Sequence, residues 1–435
     1  MSHEFGDVIE NNKGKAMVKQ EESSPSMLVV DEEQKIFLVN KVKEESSPLA
    51  PSQRGEHPCQ IPATWGSTFL KNIIMKCVAA LGIWNIMGVN MELQCLSYFA
   101  TAISRPLQHV AFVFAEALAR RMTWLLPGLG WAMQLQVLQP LTTTPVAINS
   151  PRQSFTTLHP LLSAAATSAN HDILEATVAE STVHVINLGG TSLNQWLELI
   201  GLFSACPGGP PLLRLSVVHE QDEFLSHAVG LLTEEAVHLH VPFAFIPVRS
   251  HIDRFSPLNI AGLGVVHGQG DALVITSMLQ LHRLIADEVS IEEADHNGAY
   301  LSDHVLKAFD YYSVLFHDTE AVSLVDRVAM ECTLDCVAME RTLLREEVMD
   351  IVACGGVLWR ERHEKMARWT QRMQLAGFEA VLVNTSLLKE TATLAYQMSI
   401  NGGLCYEIQK VDNGHIFLYS CKVPIFSMST WQPVH

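Results

Sequence analysis

The chain of 435 residues carries 46 aspartate and glutamate residues against 29 lysine and arginine residues, which gives a net charge of −17. A protein that binds DNA tightly on its own normally shows the opposite balance, so the composition argues against an autonomous DNA-binding protein. Nine cysteines without a CxxC pair indicate intracellular thiols rather than disulfides or a metal site, and no uncharged apolar segment is long enough to span a membrane.

Residues 1–60 are polar, charged and poor in aromatic side chains, which predicts a disordered regulatory N-terminus. A short motif occurs there twice, as Val18–Glu21 and as Val42–Glu45, and Ser-Ser-Pro follows each copy. The motif resembles the acceptor site of the small ubiquitin-like modifier, and Ser-Pro resembles a proline-directed phosphorylation site. The predicted modification sites are Lys19, Lys43, Ser24 and Ser47. A solvated linker with chance motifs is the alternative interpretation.

Residues 61–150 are predicted to form a helical cap followed by a connection. Apolar residues recur at helical spacing between residues 64 and 126, as in the stretch from Ile74 to Leu81. Proline, glycine and threonine are frequent in residues 127–151, which indicates a long connection to the next domain segment.

Residues 151–435 alternate between short apolar runs and helical patterns, which predicts an α/β core with inserted helices and a mainly parallel sheet. The sheet is expected to finish in an antiparallel hairpin, because Asn413-Gly414 separates two apolar runs. The predicted strands are Val183–Leu188, Leu212–Val218, Phe243–Val248, Ala272–Thr276, Phe378–Val383, Cys405–Val411 and His415–Cys421.

The core is organised around the stretch Val183–Phe203, where a β-branched strand leads through Gly189 and Gly190 into an amphipathic helix. Ser192 and Gln195 have the spacing of a capping box at the start of that helix. A glycine turn at a helix N-terminus can bind a nucleotide, and it can equally be plain α/β scaffolding, so both interpretations stay open.

Several motifs, in a fixed order over roughly residues 68–433, resemble the plant GRAS regulators. Val183-His184-Val185-Ile186-Asn187 resembles the VHIID signature of that family, with Asn187 in the place of the final aspartate. Residues 169–176 resemble its ANQAILEA helix, and residues 209–214 are similar to the scarecrow-like protein 3 branch. The residues that resemble its terminal SAW region are Arg360, Glu361, Arg362, His363, Trp369 and Trp431.

The resemblance implies a Rossmann-like fold of methyltransferase type with an N-terminal helical cap. It implies a nuclear transcriptional regulator, not an enzyme, that acts through protein–protein contacts. The implied partners are zinc-finger transcription factors and DELLA or other GRAS proteins, including dimers, with DNA reached mainly through them. No cofactor, metal or membrane is expected. The branch is tied to gibberellin response and root development.

Two departures from the family pattern concern the cap and the sheet. Gly82, Trp84 and Gly88 interrupt the first heptad region. Between Asp287 and Asp295 the family has a longer segment that ends in a strand, whereas only residues 288–294 remain in this chain. The completeness of the sheet is therefore an open question for the structure.

An S-adenosylmethionine-dependent methyltransferase-like enzyme is the alternative function. Gly189 and Gly190 would then face the cofactor, and Glu220, which follows the second predicted strand, would bind the ribose. The sequence contains no HExxH pair and no catalytic triad on a GxSxG turn, so no catalytic residue is assigned.

Overall fold

In this computed structural model, the structure describes residues 34–41, 65–100, 106–124, 126, 128, 154–156, 159–189, 192–254, 263, 271–282, 298–325, 339–353, 366–381, 389–393, 397, 405–410 and 415–434. The α-helices are α1 (Trp65–Gly82), α2 (Ile86–Phe99), α3 (Pro106–Trp124), α4 (Pro160–Ala176), α5 (Leu193–Ser204), α6 (Asp222–His238), α7 (Gly298–Val325), α8 (Arg345–Ala353) and α9 (Met366–Leu375). The strands are β1 (Gln34–Lys41), β2 (Thr182–Leu188), β3 (Leu212–His219), β4 (Phe243–Arg249), β5 (Asp271–Met278), β6 (Phe378–Val381), β7 (Tyr406–Lys410), β8 (Ile416–Ser420) and β9 (Val423–Pro433).

The described strands form one nine-stranded sheet in the order β4-β3-β2-β5-β1-β9-β8-β7, with β6 paired to β9. The pairs among β1 to β5 are parallel, and all pairs that involve β6 to β9 are antiparallel. The first four positions follow the order 3-2-1-4 that begins the order 3-2-1-4-5 of doubly wound nucleotide-binding folds. The predicted α/β class, with a mainly parallel sheet that ends in an antiparallel hairpin, is confirmed.

The fifth position in the sheet is taken by β1, which comes from the N-terminal segment. The segment was predicted to be disordered over residues 1–60, and this prediction is wrong for Gln34–Lys41. The polar composition of the whole segment masked the local run Ile36-Phe37-Leu38-Val39, which has the residue types that strands favour. Leu38 is buried with a relative exposure of 1%.

β1 is the strand that joins the two halves of the sheet. It pairs in parallel with β5, where Ile36 lies opposite Ile275, and antiparallel with β9, where Leu38 lies opposite Ser429. Among the described residues, β5 and β9 do not pair with each other, so β1 connects the parallel half of the sheet to the antiparallel half. The sheet is thus complete beside β5, although the sequence is short at residues 288–294.

One further sequence prediction requires correction. A helix that includes Met278 was expected after β5, but Met278 is the last residue of β5, and a short 3₁₀ turn at residues 281–282 follows. The β7–β8 hairpin ends the sheet order, as predicted, and Trp431 follows it. Trp431 lies in β9, a strand that was not predicted, which has β1 on one side and β8 on the other.

The helical cap is confirmed as α1, α2 and α3, which contact one another and pack against α7 and α8. Ion pairs join the cap to the C-terminal helices: Lys71 meets Asp310 at 2.7 Å, and Arg345 pairs with Glu116. The cap is therefore held by residues more than 200 positions away in the chain. No described helix combines the length and the apolar character that crossing a bilayer requires.

Candidate functional site

The carboxyl end of β2 is the place where the sheet order reverses, because β3 follows on one side and β5 on the other. Such a reversal is where open α/β sheets bind ligands. Gly189 takes a φ of +81° at this point, which favours glycine strongly. A Cβ on Gly189 would lie 3.3 Å from Cγ of Gln280, a side chain that follows β5 and is only 5% exposed. Gln280 thus packs directly against the Gly189 turn.

Residues Val183 to Asn187, which carry the resemblance to VHIID, are all buried in β2. Asn187 accepts a hydrogen bond from the hydroxyl of Thr276 on β5, at 3.5 Å. His184 shares a hydrogen bond of 2.8 Å with Ser216 on β3, as expected for a hydrogen-bonded core histidine. Burial, reinforced by the nearby Arg214, lowers the pKa of His184 to about 4, so the imidazole is neutral at physiological pH. These side chains connect neighbouring strands.

Glu220 follows β3, where the enzyme alternative places a ribose-binding carboxylate. Its Oε2 lies 2.9 Å from Nδ1 of His251, which comes just after β4. The carboxylate therefore has a protein partner, and a ribose hydroxyl would compete with His251 for it. Gly190, the second glycine of the turn, lies outside the described residues. The described residues named here at the carboxyl end of β2 are Gly189, Gln280, Glu220 and His251. They do not include a nucleophile placed beside a base.

The start of α5 differs in one detail from the sequence prediction. Ser192 is the N-cap residue as expected, but its side chain makes no capping hydrogen bond, so the predicted capping box does not form. Gln195 is buried in the core, and its backbone carbonyl accepts a hydrogen bond of 2.8 Å from the side-chain amide of Asn170 on α4. This bond ties the start of α5 to α4.

The C-terminal residues of the resemblance divide into two groups. Trp369 on α9 and Trp431 on β9 lie in one buried cluster with Leu38 of β1, and Arg372 stacks over the Trp369 ring at 5.3 Å. Residues 360–363 lie outside the described residues, as do the four predicted modification sites. The described members of the motif are therefore core residues.

An exposed apolar surface lies on the helical cap. It is defined here as the cap surface, made up of Ile83, Trp84, Met87, Met91 and Tyr98, with relative exposures between 63% and 82%. Met87, Met91 and Tyr98 are spaced by four and seven residues, so they form one stripe along α2. The opposite stripe of α2, with Val89 and Leu96, is buried in the core.

A helix that is apolar on both faces needs a second partner for its outer face. Contiguous exposed apolar patches on soluble proteins mark interaction sites, whereas singly scattered apolar residues do not. The two methionines suit such a site, because flexible thioether side chains adapt to different partner surfaces. The cap surface is therefore the strongest candidate for a protein interface among the described residues.

The sequence interpretation expected the helical cap and the central sheet to present apolar surfaces to partners, but it named no residues of the cap surface, and it missed β1. It assigned apolar residues at helical spacing to the core, and periodicity alone does not separate the two apolar stripes of α2. Ile83, Trp84 and Met87, with Met91 one turn further on, signalled an excess of apolar residues around the α1–α2 turn. Gly82 and Gly88, read as interruptions of a heptad pattern, flank this turn.

Comparison with known proteins identifies the family of this chain. The model of the GRAS domain family matches residues 70–294 and 289–432. The chain belongs to the GRAS domain family. The two matched segments meet at residues 289–294, where the sequence is short. β1 precedes the first matched residue, so this GRAS chain uses a strand from outside the matched region to fill its sheet.

Individual relatives support the same assignment. Scarecrow-like protein 3 of Arabidopsis thaliana is 27% identical, over 84% of this chain and 89% of the relative. DELLA protein GAI of Arabidopsis thaliana is also 27% identical, over 90% of this chain and 73% of the relative. The crystal structure of SCL7 from Oryza sativa matches with a TM-score of 0.66 at 21% identity, over 83% of this chain and 99% of that chain. This last similarity supports the Rossmann-like GRAS fold.

Proposed function

We propose that the chain is a nuclear transcriptional regulator of GRAS type that acts by binding DNA-binding factors through its cap surface. The observation that carries the proposal is the outer stripe of α2, which is apolar and exposed although the inner stripe already fills the core. The net charge of −17 supports an indirect route to DNA, because phosphate contacts supply much of the affinity of direct binding.

The proposed partners are zinc-finger transcription factors and DELLA or other GRAS proteins, including a second copy of this chain. The similarity to scarecrow-like and DELLA proteins supports a role in gibberellin response and root development. The family assignment also supports action as a regulator without enzymatic activity. Lys19, Lys43, Ser24 and Ser47 are proposed as sites where modification regulates the chain.

The test uses the full chain with Met87→Glu and Met91→Glu together. Two carboxylates in the centre of the stripe should prevent an apolar contact, because a charge in a dry interface loses its hydration. Affinity for a zinc-finger or DELLA partner in a pull-down should fall at least tenfold. Val237→Glu with Leu375→Glu is the matched control, since both residues are exposed apolar side chains, at 71% and 80%, on helices outside the cap.

Two readouts make this test decisive. The melting temperature of the double variant should stay within a few degrees of the wild type, because both methionines point into solvent. If the variant melts normally and still binds its partners like the wild type, the cap surface is not the interface. Tight binding of the purified wild-type chain to random duplex DNA at physiological salt would contradict the indirect route.

A methyltransferase-like activity is the second candidate, and the positive φ of Gly189 at the sheet reversal favours it. The Glu220–His251 pair and the packed Gln280 weigh against it. Calorimetry with S-adenosylmethionine tests the point on the wild type and on Glu220→Gln. Micromolar binding that disappears in Glu220→Gln would favour the enzyme.

A further inference from the structure

A buried cluster of polar side chains lies where three parts of the chain meet. His159 is the residue before α4, His317 and Asp318 are neighbours on α7, and Ser420 and Cys421 lie where β8 ends and turns into β9. The side chain of Asp318 is completely buried, and His159 is 4% exposed. The sequence interpretation predicted Ser420 and Cys421 as part of the strand His415–Cys421 and assigned no site residue among the five.

The contacts of Asp318 do not account for all the polar atoms around it. Ser420 donates a hydrogen bond of 2.8 Å to Oδ1 of Asp318. Nε2 of His159 lies 3.6 Å from Oδ2, and Nδ1 of His317 lies 3.8 Å from Oδ1. Both distances exceed a normal hydrogen bond. Among the described residues, Oδ2 of Asp318 and both ring nitrogens of His159 have no hydrogen-bond partner.

Three residues of this cluster hold possible ligand atoms near the spacing that a metal ion requires. Ligand bonds of about 2.0–2.3 Å to a tetrahedral zinc ion place the ligand atoms about 3.3–3.8 Å apart. Nδ1 of His317 and Oδ1 of Asp318 are 3.8 Å apart, and the ligand atoms of His317, Asp318 and Cys421 all lie within 4.8 Å of one another, so an ion would draw them closer by about 1 Å. Imidazole nitrogen, carboxylate oxygen and thiolate sulfur are the donor types that zinc takes in proteins.

We propose that His317, Asp318 and Cys421 form a zinc site, in which His159 holds the second carboxylate oxygen of Asp318. His317 is about one-third exposed, which gives the ion a route from solvent. The fourth position is left to water. A bound ion would fasten α7 to the β8–β9 turn, and His159 would orient the ligating carboxylate as outer partners of metal sites do.

The experiment measures metal binding by the full-length, tag-free chain after removal of metals with EDTA. Cobalt(II) added to the wild type should give a thiolate-to-cobalt charge-transfer band together with the visible spectrum of a tetrahedral ion. Zinc should then displace the cobalt, and zinc competition against a chromophoric chelator gives the affinity. Zinc should also raise the melting temperature of the wild type, because binding to the folded state stabilises it.

The variants separate this site from other histidines and cysteines. Cys421→Ser should remove the charge-transfer band and one equivalent of bound zinc. Cys405→Ser is the matched control, because Cys405 faces Cys421 across the β7–β8 hairpin and is not one of the three ligands. His159→Gln should keep the band but weaken zinc binding by about 10- to 100-fold, as loss of an outer partner does.

Wild-type protein without a thiolate–cobalt band would overturn the proposal, whatever the variants do. So would zinc binding and zinc-dependent melting that are the same in Cys421→Ser as in the wild type. Loss of the band in Cys405→Ser, with the band retained in Cys421→Ser, would show that Cys405 and not Cys421 is the ligand, and would refute the proposed ligand set.

Discussion

Removing the side chain of Leu38 should destabilise the whole sheet, even though the residue belongs to a segment with a disordered composition. Leu38 is 1% exposed and packs in a cluster with Leu281, Trp369 and Trp431, which come from three other parts of the chain. A buried Leu→Ala change typically costs about 2–5 kcal/mol, from lost transfer free energy and the cavity that remains. We expect Leu38→Ala to lower the free energy of unfolding by an amount in this range.

The assay is urea denaturation of the full chain, followed by circular dichroism. Leu375→Ala is the matched control, because Leu375 is 80% exposed at the end of α9 and should change stability by less than about 0.5 kcal/mol. If Leu38→Ala is no more destabilising than Leu375→Ala, β1 does not contribute to the fold and the sheet is not completed by the N-terminal segment.

A cross-link tests the register of the same strand. Asn40 lies opposite Ser427 in the antiparallel pair of β1 and β9, at a separation typical of strand partners that a disulfide can bridge. Asn40→Cys with Ser427→Cys should therefore form an intrachain disulfide under mild oxidation. Asn40→Cys with Met428→Cys is the control, since adjacent residues of a strand point to opposite faces and this pair should not form a disulfide.

Three further predictions concern single residues of the core. Gly189→Val should lower the free energy of unfolding by about 1–3 kcal/mol or more, because a side chain at φ +81° is strained and would meet Gln280. Gly201→Ala on α5 has open space around it and should be tolerated, so equal melting temperatures for the two variants would refute this prediction. The pKa of His184 is lower in the folded chain than the ordinary value of 6.5, so its contribution to stability is present above pH 6.5 and is lost as the pH falls from about 6.5 to about 4; His184→Gln should flatten the stability profile in that window, and an unchanged profile would show that the histidine does not titrate there. Trp431→Ala should cost about 3–5 kcal/mol and lose partner binding only through unfolding, while the exposed Trp84→Ala should melt normally and lose partner binding directly. A normal melt of Trp431→Ala together with lost partner binding would make the C-terminal strand a docking site instead.

The parallel half of the sheet was predictable because each strand is a continuous apolar run followed by an amphipathic helix. Val183 to Leu188 and Leu212 to Val218 show this pattern, and both strands have nearly the predicted bounds. Short local signals of this kind do not depend on distant partners. They do not show which strands are neighbours in the sheet, and β1 and β9 were not predicted because they depend on pairing with distant strands.

Pairings between distant residues explain the remaining differences. β1 becomes a strand because β5 and β9 offer it two edges, and these lie more than 200 residues away in the chain. The cluster around Asp318 likewise combines residues 159, 317 and 421, whose separations carry no metal-binding motif. The residues of the cap surface were not identified for another reason, since an apolar stripe has the same periodicity whether it faces the core or a partner.

The position of β1 gives the predicted modification sites a physical route to the fold. Lys43 is the second residue after the end of β1, and Ser47 follows four residues later. A bulky modifier at Lys43 or a phosphate at Ser47 would therefore act beside the strand that connects the parallel half of the sheet to β9. The native state of a domain is marginally stable, so we expect a modification at Lys43 or Ser47 to be measurable as a change in the free energy of unfolding.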